Sequence, residues 1–72
     1  MTMPWERTNS VLKTGVLLKW LASPAAAESV PEEVRRRALE LLRHYPSPME
    51  MDLAGQIYPS MFACYEERAK YS

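Results

Sequence analysis

Residues 34–48 read V-R-R-R-A-L-E-L-L-R-H-Y-P-S-P, and this stretch defines a helix, its end and the start of the next helix. Apolar side chains recur in it at spacings of four, three, one and three residues, as on a helix face that packs against a core. They are Val34, Ala38, Leu41, Leu42 and Tyr45. Pro46 disfavours a helical conformation at the residue before it. The stretch therefore predicts a helix that ends at Tyr45 and buries this five-residue face.

The composition indicates one small domain over residues 1–72. The chain is 47% hydrophobic, which is enough for one small core and no more. Its single cysteine, Cys64, excludes an internal disulfide. Domains this short then depend on close helix packing or on self-association. Nine lysines and arginines balance nine aspartates and glutamates, so the chain lacks the broad positive field of a non-specific nucleic-acid binder.

The N-terminal sequence has no basic region followed by an apolar run, so it predicts no signal peptide. The longest apolar run, residues 15–18, is far shorter than the roughly 20 residues that span a bilayer. We therefore expect a cytoplasmic protein without membrane contact, in which Cys64 is reduced.

Two helices are predicted to form a small helical hairpin. Pro4 suits a first helical turn, where its missing N–H has no intrahelical partner, and helix one is predicted over residues 4–22. Ser29 and Glu32 have the Ser-x-x-Glu spacing of a capping box, which predicts helix two over residues 30–45.

The C-terminal part is predicted to add one or two short helices. Ser47 and Glu50 repeat the capping box, so a third helix is expected over residues 48–58. Pro59 either kinks this helix or separates a fourth over residues 60–70, and we favour the break. The apolar ridge of helix three is predicted at Met49, Leu53 and Ile57. Because no stretch alternates like a strand, the expected fold is all-α.

Helix one is apolar on more sides than one small core needs. Its main face is predicted at Val11, Gly15, Leu18, Leu21 and Ala22. Leu17 and Trp20 lie away from this face. Helices three and four cover them in one alternative, but a small domain with such a patch more often associates, and the twofold dimer is the usual form. We therefore predict a homodimer with Leu17 and Trp20 in its interface.

Nucleic-acid binding and catalysis are both disfavoured by residue chemistry. The arginines of helix two, at positions 35, 36, 37 and 43, have glutamates three or four residues away that compensate their charge. Glu50 and Asp52 would be repelled by DNA phosphates in a helix-turn-helix arrangement. His44 and Cys64 are too few for a zinc site and do not lie in a catalytic motif. We predict no catalytic residue, no metal site and no cofactor.

A partner-binding patch is predicted on the outward face of helix two. Leu39 lies about 120° from the centre of the apolar stripe and falls between arginines. An aliphatic centre with an arginine rim is typical of protein-binding surfaces. The predicted binding residues are Trp5, Arg7, Arg36, Leu39, Glu40, Arg43 and the hydroxyl of Tyr45. The methionines of the C-terminal part fit either a core or an adaptable binding surface.

Two motifs resemble a family of short proteobacterial and prophage proteins. Residues 1–8, M-T-M-P-W-E-R-T, match its M-T-M-P-x-E-R-T start, and residues 41–46 match its L-L-R-H-Y-P core. The resemblance to that family implies no general biochemical function. In size and helical-hairpin character the chain is also similar to small phage anti-activators, dimeric helical proteins that block a LuxR-type quorum-sensing regulator and can bind a pilus-assembly ATPase. This second resemblance implies a kind of partner and no site residue.

The sequence therefore favours a non-enzymatic, homodimeric helical interaction protein, encoded by a phage or prophage, that binds and inhibits a bacterial host regulator. The partner expected from the resemblance is a LuxR-type transcription factor or a pilus-assembly ATPase. Two alternatives remain. One is a small DNA-binding regulator whose helix-two arginines contact phosphate, and the other is an adaptor subunit of a larger bacterial complex.

Overall fold

A computed structural model describes residues 2–70 of the chain. It contains four α-helices: α1 (Pro4–Ala22), α2 (Glu32–Leu42), α3 (Pro48–Ile57) and α4 (Tyr65–Ala69). A short 3-10 helix, Pro24–Ala26, follows α1. No strand occurs within residues 2–70. The predicted all-α fold is confirmed.

The prolines mark helix boundaries much as the sequence predicts. Helix α1 begins at Pro4 and covers the predicted 4–22 range. Helix α3 ends at Ile57, two residues before Pro59, so the break at this proline is confirmed. Helix α4 is shorter than the predicted 60–70 range because the chain first makes a turn, in which the Phe62 N–H donates to the Tyr58 carbonyl at 3.1 Å.

One of the two predicted capping boxes forms. The Glu50 N–H donates to Ser47 Oγ at 3.2 Å, and the Ser47 N–H donates to Glu50 Oε1 at 2.9 Å. The Ser29 box is wrong, because the N–H groups of Ser29 and Val30 both donate to the Ala26 carbonyl and hold this segment in a turn. Helix α2 accordingly begins at Glu32 without a side-chain cap.

Helix α2 also ends earlier than the predicted Tyr45. Its last residue is Leu42. The next N–H groups bond three residues back, His44 to Leu41 and Tyr45 to Leu42, as in a tightened final turn. The observed helix therefore covers 32–42 of the predicted 30–45.

The chain forms two compact units. The terminal unit comprises the residues up to Leu12 and those from Pro46 onward, and the hairpin unit comprises residues 13–45. Helix α1 contributes its first turns to the terminal unit and the rest to the hairpin unit. Each unit is described below by itself.

The hairpin unit packs an aromatic ring on a glycine. Gly15 of α1 is buried, and a Cβ atom added there would lie 2.8 Å from Cε2 of Tyr45. Ala26 and Ala38 are also buried. The buried residues of this unit are therefore all small.

The buried face of α2 differs from the predicted one. Val34 and Leu41 are 40% and 60% exposed, so their assignment to the core is wrong. The inward positions are Arg35, Ala38, Leu42 and Tyr45, at spacings of three, four and three residues. Ala38 is the buried centre of this stripe, and the half-buried Arg35 takes the place that Val34 was expected to fill. Its aliphatic stem suits such a position.

A buried threonine joins two distant segments within the terminal unit by a hydrogen bond. Thr8 of α1 is fully buried, and its Oγ1 accepts a hydrogen bond from the Ala63 N–H at 2.9 Å. Asp52 of α3 accepts the N–H of Tyr65 at 2.5 Å, which fixes the start of α4. These bonds join segments more than ten residues apart in sequence.

Helix α3 contacts the backbone of the segment before α4 at Gly55. A Cβ atom at this position would overlap backbone atoms of Ala63 and Cys64. Met51 and Gly55 are buried, whereas the predicted apolar ridge is exposed. Met49 is 81%, Leu53 54% and Ile57 74% exposed, so the predicted ridge lies on the solvent side of the helix. Only a glycine at position 55 permits this contact with the backbone. The side of α3 that carries Gly55 therefore faces inward.

Candidate protein-interaction surfaces

Large apolar side chains remain exposed in both units. Within residues 2–70, the buried hydrophobic residues are three alanines and Met51. The exposed large hydrophobic residues are Met3, Val16, Leu17, Trp20, Val34, Leu39, Leu41, Met49, Leu53, Ile57, Tyr58, Met61 and Tyr65. Several of them recur at spacings of three or four residues on one helix, so they form stripes. Apolar stripes of this kind mark interaction sites more often than isolated exposed leucines do.

The α2 surface consists of Arg36, Leu39, Glu40 and Arg43, and the structure places all four on one exposed face. Leu39 is 52% exposed. Near the start of α2, an open depression is lined by Glu32, Glu33 and Arg36. Arg37 forms an exposed ion pair with Glu33 at 3.1 Å, four residues earlier on the neighbouring face. The surface is therefore an aliphatic centre with a rim of both charge signs.

Trp5 and Arg7 belong to the terminal unit, whereas the α2 surface belongs to the hairpin unit. Arg7 is half-buried and its Nη1 donates to the Met61 carbonyl at 2.6 Å, which gives it a structural role in holding the turn before α4. Trp5 is half-buried and lines an apolar pocket of about 360 Å³. Phe62 and Pro59 form part of the same wall. Trp5 and Arg7 thus both contact residues of their own unit.

Tyr45 is half-buried at the end of the hairpin unit, with its ring against Gly15. This contact gives the ring the packing role that the sequence predicted for it. A role of its hydroxyl in partner binding stays a prediction.

The α1 surface consists of Val16, Leu17 and Trp20, which are all exposed. The predicted main face of α1 is buried or half-buried at each of its five positions, so that part of the prediction is confirmed. Val16 was missed by sequence reasoning. Its spacing of four residues from Trp20 is the signal that places it on the same stripe.

Within residues 2–70 no group of three or more His, Cys, Asp or Glu side chains could hold a metal ion. His44 is exposed in the hairpin unit, and Cys64 is a half-buried free thiol in the terminal unit. Hydrogen bonds with the backbone N–H and the side chain of Ser47 hold the pKa of Glu50 below its ordinary value. This carboxylate serves as part of a helix cap.

Comparison with known proteins found no matching family model, no matching curated protein and no matching solved structure. The two resemblances noted in the sequence therefore stay predictions. In the part of the chain that the structure describes, no helix combines the length and apolar character needed to cross a membrane.

Proposed function

We propose that this chain is a non-enzymatic helical interaction protein, which binds a protein partner through the α2 surface and forms a homodimer through the α1 surface. The observation that carries the proposal is the distribution of apolar side chains. Of the large hydrophobic side chains between residues 2 and 70, one, Met51, is buried, nine are half-buried and thirteen are exposed. Complete burial of an exposed leucine or valine side chain contributes about 1.5–3 kcal/mol, so covering a stripe of several partly exposed side chains favours association.

The α2 surface favours a partner with an apolar pocket and an acidic rim. Leu39 supplies the apolar anchor, and Arg36 and Arg43 lie one turn away on either side of it. Arginine side chains are enriched at interface centres and make bidentate bonds with carboxylates. Glu40 adds a negative charge beside the anchor, so the best-fitting rim is acidic opposite the two arginines and basic opposite Glu40.

In its specific form, the proposal is that a phage or prophage product inhibits a bacterial regulator. The partner classes to test are a LuxR-type transcription factor and a pilus-assembly ATPase, and both derive from the resemblance in size and hairpin character. An inhibitor needs no catalytic residue, because occupying the partner's functional surface is sufficient.

The test compares two double variants of the same helix. In the first, Leu39→Ser and Arg43→Ala remove the anchor and one arginine of the α2 surface. In the matched control, Leu41→Ser and Arg37→Ala make the same changes at exposed positions outside it. Helical content and oligomeric state are checked by circular dichroism and light scattering. Binding to each purified candidate partner is then measured by interferometry.

We expect the first variant to lose at least tenfold in affinity and the control to stay within about threefold of wild type, since anchors dominate interface energies. Equal binding by both variants contradicts the assignment of the α2 surface. Salt-sensitive DNA binding that weakens with Arg43→Ala favours a DNA-binding regulator instead. That alternative is supported by the exposed Arg36, Arg37 and Arg43, and the Arg37–Glu33 ion pair opposes it.

A further inference from the structure

We draw no further inference here: the strongest candidate, the apolar pocket of about 360 Å³ that Trp5 and Phe62 line in the terminal unit, carries nothing, because the Glu67 carboxylate in its lining already forms an ion pair with Lys70 and nothing in the structure shows what fills the pocket.

Discussion

The terminal unit and the hairpin unit each contain a buried glycine within a helix, and the two glycines have different neighbours. Gly55 of the terminal unit contacts the backbone of residues 63–64, which is fixed by the hydrogen bond from Ala63 to Thr8. Gly15 of the hairpin unit contacts the edge of the Tyr45 ring. A side-chain ring can rotate or shift, whereas a hydrogen-bonded backbone cannot do so without breaking other contacts. We infer that the terminal unit tolerates change at its glycine far less.

The largest predicted effect separates the two glycines directly. Gly55→Ala should destabilise the protein by about 3 kcal/mol, because its Cβ overlaps backbone. Gly15→Ala should stay within about 1 kcal/mol of wild type, since the gain in helix propensity offsets the displacement of the ring. Chemical denaturation followed by circular dichroism measures both. Equal destabilisation by the two substitutions would contradict the distinction between the units.

The next effect concerns the buried hydrogen bond of the terminal unit. Thr8→Val keeps the shape of the side chain but leaves the Ala63 N–H without its acceptor, which should cost about 2 kcal/mol. Thr8→Ser retains the hydroxyl and serves as the control. Amide hydrogen exchange at Ala63 reports the bond itself. Slow exchange that persists in the Thr8→Val variant would show that another group satisfies this N–H.

The corresponding contact of the hairpin unit is the ring of Tyr45. Tyr45→Ala should cost about 2 kcal/mol, less than a fully buried aromatic residue, because the ring is half-buried. Tyr45→Phe keeps the ring on Gly15 and tests the hydroxyl alone. If Tyr45→Ala leaves the melting temperature unchanged, the ring does not hold this unit together.

The smallest stability effect compares the two serines that have capping-box spacing. Ser47→Ala should cost about 1 kcal/mol, whereas Ser29→Ala should be nearly neutral, because only Ser47 caps a helix. The pKa of Glu50 is lowered in the folded state, so its contribution is complete above its unfolded pKa and is lost as the pH falls through the folded pKa. Thermal melts between pH 3 and 7 measure this dependence. Glu50→Gln should flatten it, and an unchanged pH profile would exclude a role for this carboxylate.

The sequence predicts helix boundaries better than it predicts which side of a helix is buried. Pro4, Pro59 and the Ser47 capping box act locally, so their effects can be deduced without knowledge of the fold. Apolar spacing shows which residues share a face, but in α2 and α3 apolar residues occupy two faces. In α3 the inward side is the one with Gly55, because a Cβ atom there would overlap backbone atoms of Ala63 and Cys64. Val34 was misassigned because the half-buried Arg35, whose aliphatic stem suits such a position, lies inward in its place.

The sequence predicts the candidate surfaces unevenly, because it encodes the local geometry of a helix directly but not the contacts between distant segments. Arg36, Leu39, Glu40 and Arg43 share a face by helical geometry alone, and the structure places them together. The contact of Arg7 with the Met61 carbonyl joins residues 54 positions apart, which no local pattern encodes. The apolar ridge of α3, formed by Met49, Leu53 and Ile57, resembles a core stripe in sequence. Only the packing of Gly55 on the opposite side shows that this ridge faces outward.

We propose that other protein molecules cover the exposed apolar stripes of this chain, beginning with a second copy at the α1 surface. Sedimentation equilibrium at about 50 μM tests it most directly, with wild type compared with the Leu17→Glu, Trp20→Glu variant. We predict a wild-type dimer, as expected for a dissociation constant of about 1 μM, and a variant that is mainly monomeric with unchanged helical content. A monodisperse wild-type monomer at this concentration would contradict the account.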